Sequence, residues 1–168
     1  MNPQLSFEIT YVDDQLMVID VSASNGRFTG VTKIYVGVDG QELIDFAHQL
    51  QGFPKNIDQV EKKEFGSINP FSPPITNKKL QSGNQRIESA YLGLKLFCLD
   101  RSGHTAVGIE MQEDYWHERK EAIGKVSFEM LFNPAQADIF VQELIELGKN
   151  HSGRATLMGI IDQKDNRF

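Results

Sequence analysis

The chain has 168 residues, of which 40% are hydrophobic and 24% charged, and its formal net charge is −6 at pH 7. This composition is typical of a globular domain and excludes a disordered chain, and no apolar run approaches the roughly 18 residues of a membrane span. Because an acidic surface repels phosphate backbones, we expect no nucleic-acid partner and instead a basic protein partner.

The beginning of the chain and its cysteine content predict a cytoplasmic protein without a membrane partner. The run Met1-Asn2-Pro3-Gln4 has no basic residue and leads directly into alternating apolar residues, which is typical of a strand over about residues 5–12 and not of a signal peptide. The chain has one cysteine, Cys98, so an intramolecular disulfide is impossible. We predict that Cys98 is a small buried hydrophobic residue.

A hairpin is predicted at Ser24-Asn25-Gly26-Arg27, because Asn-Gly supplies the two positive φ angles of a type I′ turn. With Asn25 and Gly26 as the two loop residues, Ala23 lies opposite Phe28 and Ile19 lies opposite Thr32. This register gives one mostly apolar face to the strand pair.

A first helix is predicted after the third strand. Asp39 is the candidate N-cap with Glu42 three residues later, and Leu43, Phe46, Ala47 and Leu50 recur at helical spacing until a stop near Gly52. Residues 53–86 are rich in proline and polar side chains, which predicts a long irregular connection.

The second half repeats this plan. Alternating apolar residues over 90–98 and 105–111 flank a turn at 100–103 and predict a second hairpin, and residues 126–132 predict a further strand. Asn133 and Pro134 suit the start of a helix that Gly148 would close. Residues 154–161 are predicted to add an edge strand, and residues 162–168 to form a frayed tail.

We therefore predict an α+β fold in a single domain over residues 1–168. It has an antiparallel sheet of about six strands with two amphipathic helices, arranged as two βββα halves. Phe46 with Leu50, and Phe140 with Leu144, lie at the same offsets from the two helix starts, as expected if both helices pack onto a common sheet.

The stretch 110–121 combines aromatic, acidic and basic residues. His117-Glu118 resembles a metalloprotease motif, but Glu121 stands where the second histidine is required, so we predict neither a metal site nor a cofactor. Aromatic residues beside charges are common at binding hot spots. The predicted partner-binding residues are Glu113, Asp114, Tyr115, Trp116 and Glu118.

No nucleotide-binding, hydrolase or redox motif occurs in the chain, so we assign no catalytic residue. A pocket assembled from separate loops stays open as an alternative, which would make the protein a small-ligand-binding protein or an enzyme. A further alternative is an assembly subunit that associates through its strand edges.

Three segments, Val21–Gly30, Leu92–Leu96 and Val126–Met130, followed in the last case by an amphipathic helix, resemble the WapI-type immunity proteins of bacterial toxin systems. The resemblance is one of layout and covers roughly residues 15–50 and 90–147. It implies a small cytoplasmic protein that binds and blocks a toxin domain without catalysis. It supplies no catalytic residue to carry over.

Overall fold

The computed structural model describes residues 2–66, 90–112 and 124–161. In these residues the first half of the chain contains β1 (Gln4–Val12), β2 (Leu16–Ser24), β3 (Thr29–Gly37), α1 (Gln41–Leu50) and β4 (Glu61–Phe65). The second half contains β5 (Tyr91–Cys98), β6 (Thr105–Gln112), β7 (Lys125–Phe132), α2 (Pro134–Asn150) and β8 (Arg154–Met158).

The strands form two four-stranded antiparallel sheets that exchange one strand between the halves. Sheet A has the order β3-β2-β1-β8 and sheet B the order β4-β5-β6-β7. In each half, three consecutive strands form a meander, a helix follows, and the fourth strand joins the sheet of the other half. The prediction of an α+β fold with antiparallel pairing is confirmed, whereas a single sheet of about six strands is wrong.

Both sheets and both helices bury their apolar side chains in one hydrophobic core. At its centre, the ring of Phe7 from β1 lies 5.9 Å from that of Phe65 on β4 and 5.7 Å from that of Phe140 on α2. Phe46 of α1 packs on Phe65 at 5.6 Å. The two helices thus enter a core between two sheets, and the predicted packing onto a common sheet is wrong.

The helices approach each other most closely at two glycines. A Cβ atom at Gly40 would collide with the backbone of Gly148, and one at Gly148 would lie 2.8 Å from the carbonyl oxygen of Gly40. Gly40 is also the N-cap of α1, with φ of 67°, so Asp39 does not cap the helix as predicted and instead accepts a hydrogen bond from the amide of Gln41. Gly148 lies inside α2, which ends at Asn150 before a left-handed His151.

The predicted start of α2 is confirmed. Asn133 is the N-cap, its side-chain oxygen accepts a hydrogen bond from the amide of Ala135, and Pro134 occupies the first turn. Proline suits this position because amide hydrogens in the first turn have no partner within the helix, and proline has no amide hydrogen.

The hairpin between β2 and β3 forms, but its register differs from the predicted one by two residues. Ala23 pairs with Gly30, and Ile19 pairs with Ile34. The loop uses four residues, because the side-chain oxygen of Asn25 accepts hydrogen bonds from the amides of both Arg27 and Phe28. A shift by two preserves the buried face, since side chains alternate with period two.

One strand falls inside the predicted irregular connection at 53–86. β4 pairs with β5 from Glu61 opposite Leu96 to Phe65 opposite Leu92. Its outer edge is covered by α1, where the side chain of Gln49 donates to the carbonyl oxygen of Lys62. β8 confirms the predicted edge strand, and residues 162–168 lie outside the described residues. Among the helices that the structure describes, none has the length and apolar character needed to cross a bilayer.

Candidate functional site: a groove on sheet B

The outer face of sheet B, which points away from the core, forms a groove with a volume of about 670 Å³. Its floor contains Gly93 of β5 and Gly108 of β6, which are diagonal neighbours because Gly93 pairs with Glu110 and Gly108 pairs with Lys95. A Cβ atom at Gly108 would have no neighbour closer than 3.8 Å. The groove therefore has open space where a typical sheet face carries side chains.

Charged side chains from all four strands surround this floor. One row across the sheet runs Lys62, Lys95, Gly108, Glu129, and the next runs Glu64, Gly93, Glu110, Ser127. Lys62 and Lys95 are directly opposite each other, and like charges in that position destabilise a sheet. The groove thus has a pair of lysines on its β4 and β5 side and two glutamates on its β6 and β7 side.

Tyr91 closes one end of the groove. Its half-buried ring lies across Gly93, and its hydroxyl donates a hydrogen bond to Glu64 at 3.2 Å. Burial, and then the neighbouring carboxylates of Glu64 and Glu110, raise the pKa of Tyr91 to about 12. The phenol donates a hydrogen bond to Glu64, and its ionisation is disfavoured because it would place a third negative charge beside two carboxylates.

Phe97 lies at the opposite end of β5. The ammonium of Lys95 lies 5.5 Å from the centroid of the Phe97 ring, within the range of a cation–π contact. Because of this contact, the Lys95 ammonium lies next to Phe97, two residues further along β5. Both ends of the groove therefore carry an aromatic ring.

Two carboxylates of the groove, Glu110 and Glu129, have no cation among the described residues. Among the described residues, the side chains of Glu110 and Glu129 make neither a hydrogen bond nor an ion pair. Both residues are exposed. The carboxylate of Glu64, in contrast, already accepts the hydroxyl of Tyr91.

The groove combines charged side chains with open space above Gly108. Across residues 2–66, 90–112 and 124–161, no group of His, Cys, Asp and Glu side chains is arranged to hold a metal ion. Ser127 is the hydroxyl residue on the wall, and no described histidine lines the groove to act as its base. What the arrangement can do is bind charged groups and pack aromatic rings against them.

All five predicted partner-binding residues, Glu113, Asp114, Tyr115, Trp116 and Glu118, lie outside the described residues. The sequence prediction did not include the groove. A signal was present in Leu92-Gly93-Leu94 and Val107-Gly108-Ile109, where glycine occupies the outward position between two inward apolar residues. The prediction for Cys98 is wrong, since this residue is half-buried at the end of β5.

The architecture defines the protein as an α+β domain built from two strand-exchanged halves. No protein-family model matches the chain, and no curated protein and no solved structure is significantly similar to it.

Proposed function

We propose that this protein is a non-catalytic binding protein, and that the groove on sheet B is its binding surface for a protein partner. The observation that carries this proposal is the open floor at Gly108, bordered by Glu110 and Glu129, which have no cation among the described residues. Lys62 opposite Lys95 costs stability, and local arrangements that oppose stability are expected at functional sites.

We propose that the partner is a basic protein. The role we propose for this chain is that of an immunity protein that occludes a cognate toxin in the bacterial cytoplasm. The net charge of −6 favours encounter with a basic surface. The resemblance of the sequence to WapI-type immunity proteins supports the same role, because such proteins act by binding alone.

A blocked groove tests the binding site. Gly108→Tyr puts a large side chain into the open floor without a backbone clash, since the nearest atom to a Cβ there is 3.8 Å away. Val31→Tyr is the matched control, because Val31 is 72% exposed on β3 of sheet A. Wild-type protein and both variants are used to capture proteins from lysate of the source cells, and the retained proteins are quantified by mass spectrometry.

We expect a stoichiometric protein that binds the wild type and Val31→Tyr equally and is lost from Gly108→Tyr. Equal retention by all three, or no retained protein, would contradict the proposed site. The immunity role is tested by expressing the captured protein in cells. It should arrest growth alone, and co-expression of the wild type but not of Gly108→Tyr should restore growth. If growth is normal without the wild type, the immunity role is wrong.

A further inference from the structure

The space above Gly108 is the most sharply defined position in the groove. Its strand neighbours across the sheet are Lys95 on β5 and Glu129 on β7, and Glu110 is the next outward residue on β6. A Cβ atom built on Gly108 would be in ordinary van der Waals contact with Lys95 alone. The backbone of β6 is therefore accessible at a point bordered by two carboxylates.

The two carboxylates are suitably placed to share one cation. Glu110 and Glu129 are diagonal neighbours on adjacent strands, so their Cβ atoms are roughly 7–8 Å apart or slightly less. A planar guanidinium donates hydrogen bonds from several edges and can contact a carboxylate on each side, whereas an ammonium acts as a compact point charge. The ammonium of Lys95 lies against Phe97 and does not bridge these carboxylates.

We propose that the space over Gly108 receives an arginine side chain of the protein partner, whose guanidinium lies between Glu110 and Glu129. This inference rests on the proposed function, because it assigns the chemistry of the partner at the same groove. Its basis is charge complementarity at an open position, together with the lack of a hydrogen bond or ion pair for either carboxylate among the described residues.

Sheet A contains a contact of the same chemistry within the chain. On its outer face, Arg154 of β8 lies directly opposite Glu8 of β1, and the guanidinium donates to the Glu8 carboxylate at 2.6 Å. On sheet B the strand β4, which takes the place of β8, has Lys62 and Glu64 on its outer face. The partner would thus supply to sheet B the arginine that sheet A obtains from its exchanged strand.

The test uses a defined probe, the pentapeptide Thr-Arg-Thr-Arg-Thr with blocked ends, titrated into the isotope-labelled full chain and followed by amide chemical shifts. Its controls are the same peptide with citrulline in place of arginine, the lysine peptide, and spermidine. We expect the arginine peptide to shift the amides of residues 108–110 and 127–129, and we expect weaker binding by the lysine peptide and none by the citrulline peptide.

Charge variants test whether peptide binding depends on Glu110 and Glu129 or only on the net charge of the protein. The double variant Glu110→Gln with Glu129→Gln should weaken binding of the arginine peptide by about fivefold or more, the effect of an exposed pair worth about 1 kcal/mol. Glu146→Gln removes one charge from an exposed position on α2, and Asp138→Asn with Glu146→Gln, both exposed on α2, matches the double change in net charge. Both of these controls should leave peptide affinity unchanged.

Several outcomes would overturn the assignment. Equal binding of the citrulline peptide or of spermidine, shifts that map outside the groove, or an unchanged affinity of the double variant would each show that the position does not recognise arginine. If the arginine peptide fails while Gly108→Tyr still abolishes partner capture, the groove remains the binding surface and only the chemistry assigned here is wrong. If Gly108→Tyr has no effect on capture, the proposed function fails.

Discussion

Sheets A and B each have four antiparallel strands, but the charged side chains on their outer faces are paired differently. On sheet A, one row across all four strands runs Arg154, Glu8, Asp20, Lys33. Glu8 and Asp20 lie directly opposite each other, but each is paired with a cation, at 2.6 Å and 2.5 Å. On sheet B, two lysines lie opposite each other and two glutamates have no cation among the described residues. The outer face of sheet A thus pairs its own carboxylates with cations, whereas the outer face of sheet B presents two carboxylates that have no cation among the described residues.

The largest effect should come from the core that both sheets share. Phe7→Ala removes a ring that contacts Phe65 and Phe140, and we expect a loss of about 3–5 kcal/mol in the free energy of unfolding. Because there is one core, amide hydrogen exchange should accelerate together in both sheets. Retention of protection in sheet B alone would show that the two faces belong to independently stable units.

Two glycine substitutions compare the closed junction of the sheets with the open groove. A Cβ atom at Gly30 of β3 would collide with Val126 and lie 2.9 Å from the sulfur of Met111, so Gly30→Ala should cost about 1–3 kcal/mol in unfolding free energy. Gly108→Ala should be neutral or stabilise by about 0.5–1 kcal/mol, because alanine restricts the unfolded chain and meets no clash. Denaturant unfolding measures both. Equal costs would contradict the open groove.

Alkaline pH should affect the groove through Tyr91. The folded state raises its pKa from 10.0 to about 12 and so favours the protonated phenol. The resulting stabilisation is complete below about pH 10 and is lost as pH rises through about 12. Tyr91→Phe should lack this loss, while Tyr11→Phe on sheet A is the matched control. Melting temperature measured from pH 9 to 12 checks this, and parallel profiles for wild type and Tyr91→Phe would show that folding does not raise the pKa of Tyr91.

The smallest expected changes in unfolding free energy come from removing single surface charges, and they compare a paired carboxylate with an unpaired one. Asp20→Asn removes the ion pair with Lys33 and should cost about 0.2–1 kcal/mol, less at high salt. Glu110→Gln should cost less, since it removes a carboxylate that has no cation among the described residues. Unfolding free energies at low and high salt measure both. A larger, salt-sensitive loss for Glu110→Gln would mean that its charge is already neutralised within the chain.

The sequence predicted the elements whose signals are local. Asn133 with Pro134 identified the start of α2, and alternating apolar residues identified both hairpins. β4 was missed because Glu61-Lys62-Lys63-Glu64-Phe65 contains a single apolar residue, as suits an edge strand whose outer side faces a helix. The turn register was wrong because the Asn25 side chain accepts hydrogen bonds from the amides of Arg27 and Phe28 and so holds a loop of four residues.

The groove could not be predicted in the same way, because it depends on partners that are distant in the chain. Gly93 and Gly108 become one floor only when β5 and β6 pair in the observed register. The like-charge pair Lys62 and Lys95 requires β4 to join sheet B, which no local periodicity indicates. Residue patterns specify which face of a strand is buried, whereas the identity of the neighbouring strand follows from the whole topology.

The exchange of strands also affects the order in which the protein is completed during synthesis. Ser6 of β1 and Thr156 of β8 are hydrogen-bonded partners although 150 residues separate them. At about 5–20 residues per second, roughly 8–30 s pass between the emergence of these two strands from the ribosome. Throughout that time the edge of β1 is an open template for other chains. We therefore expect nascent molecules on one messenger RNA to be prone to mispairing at this edge.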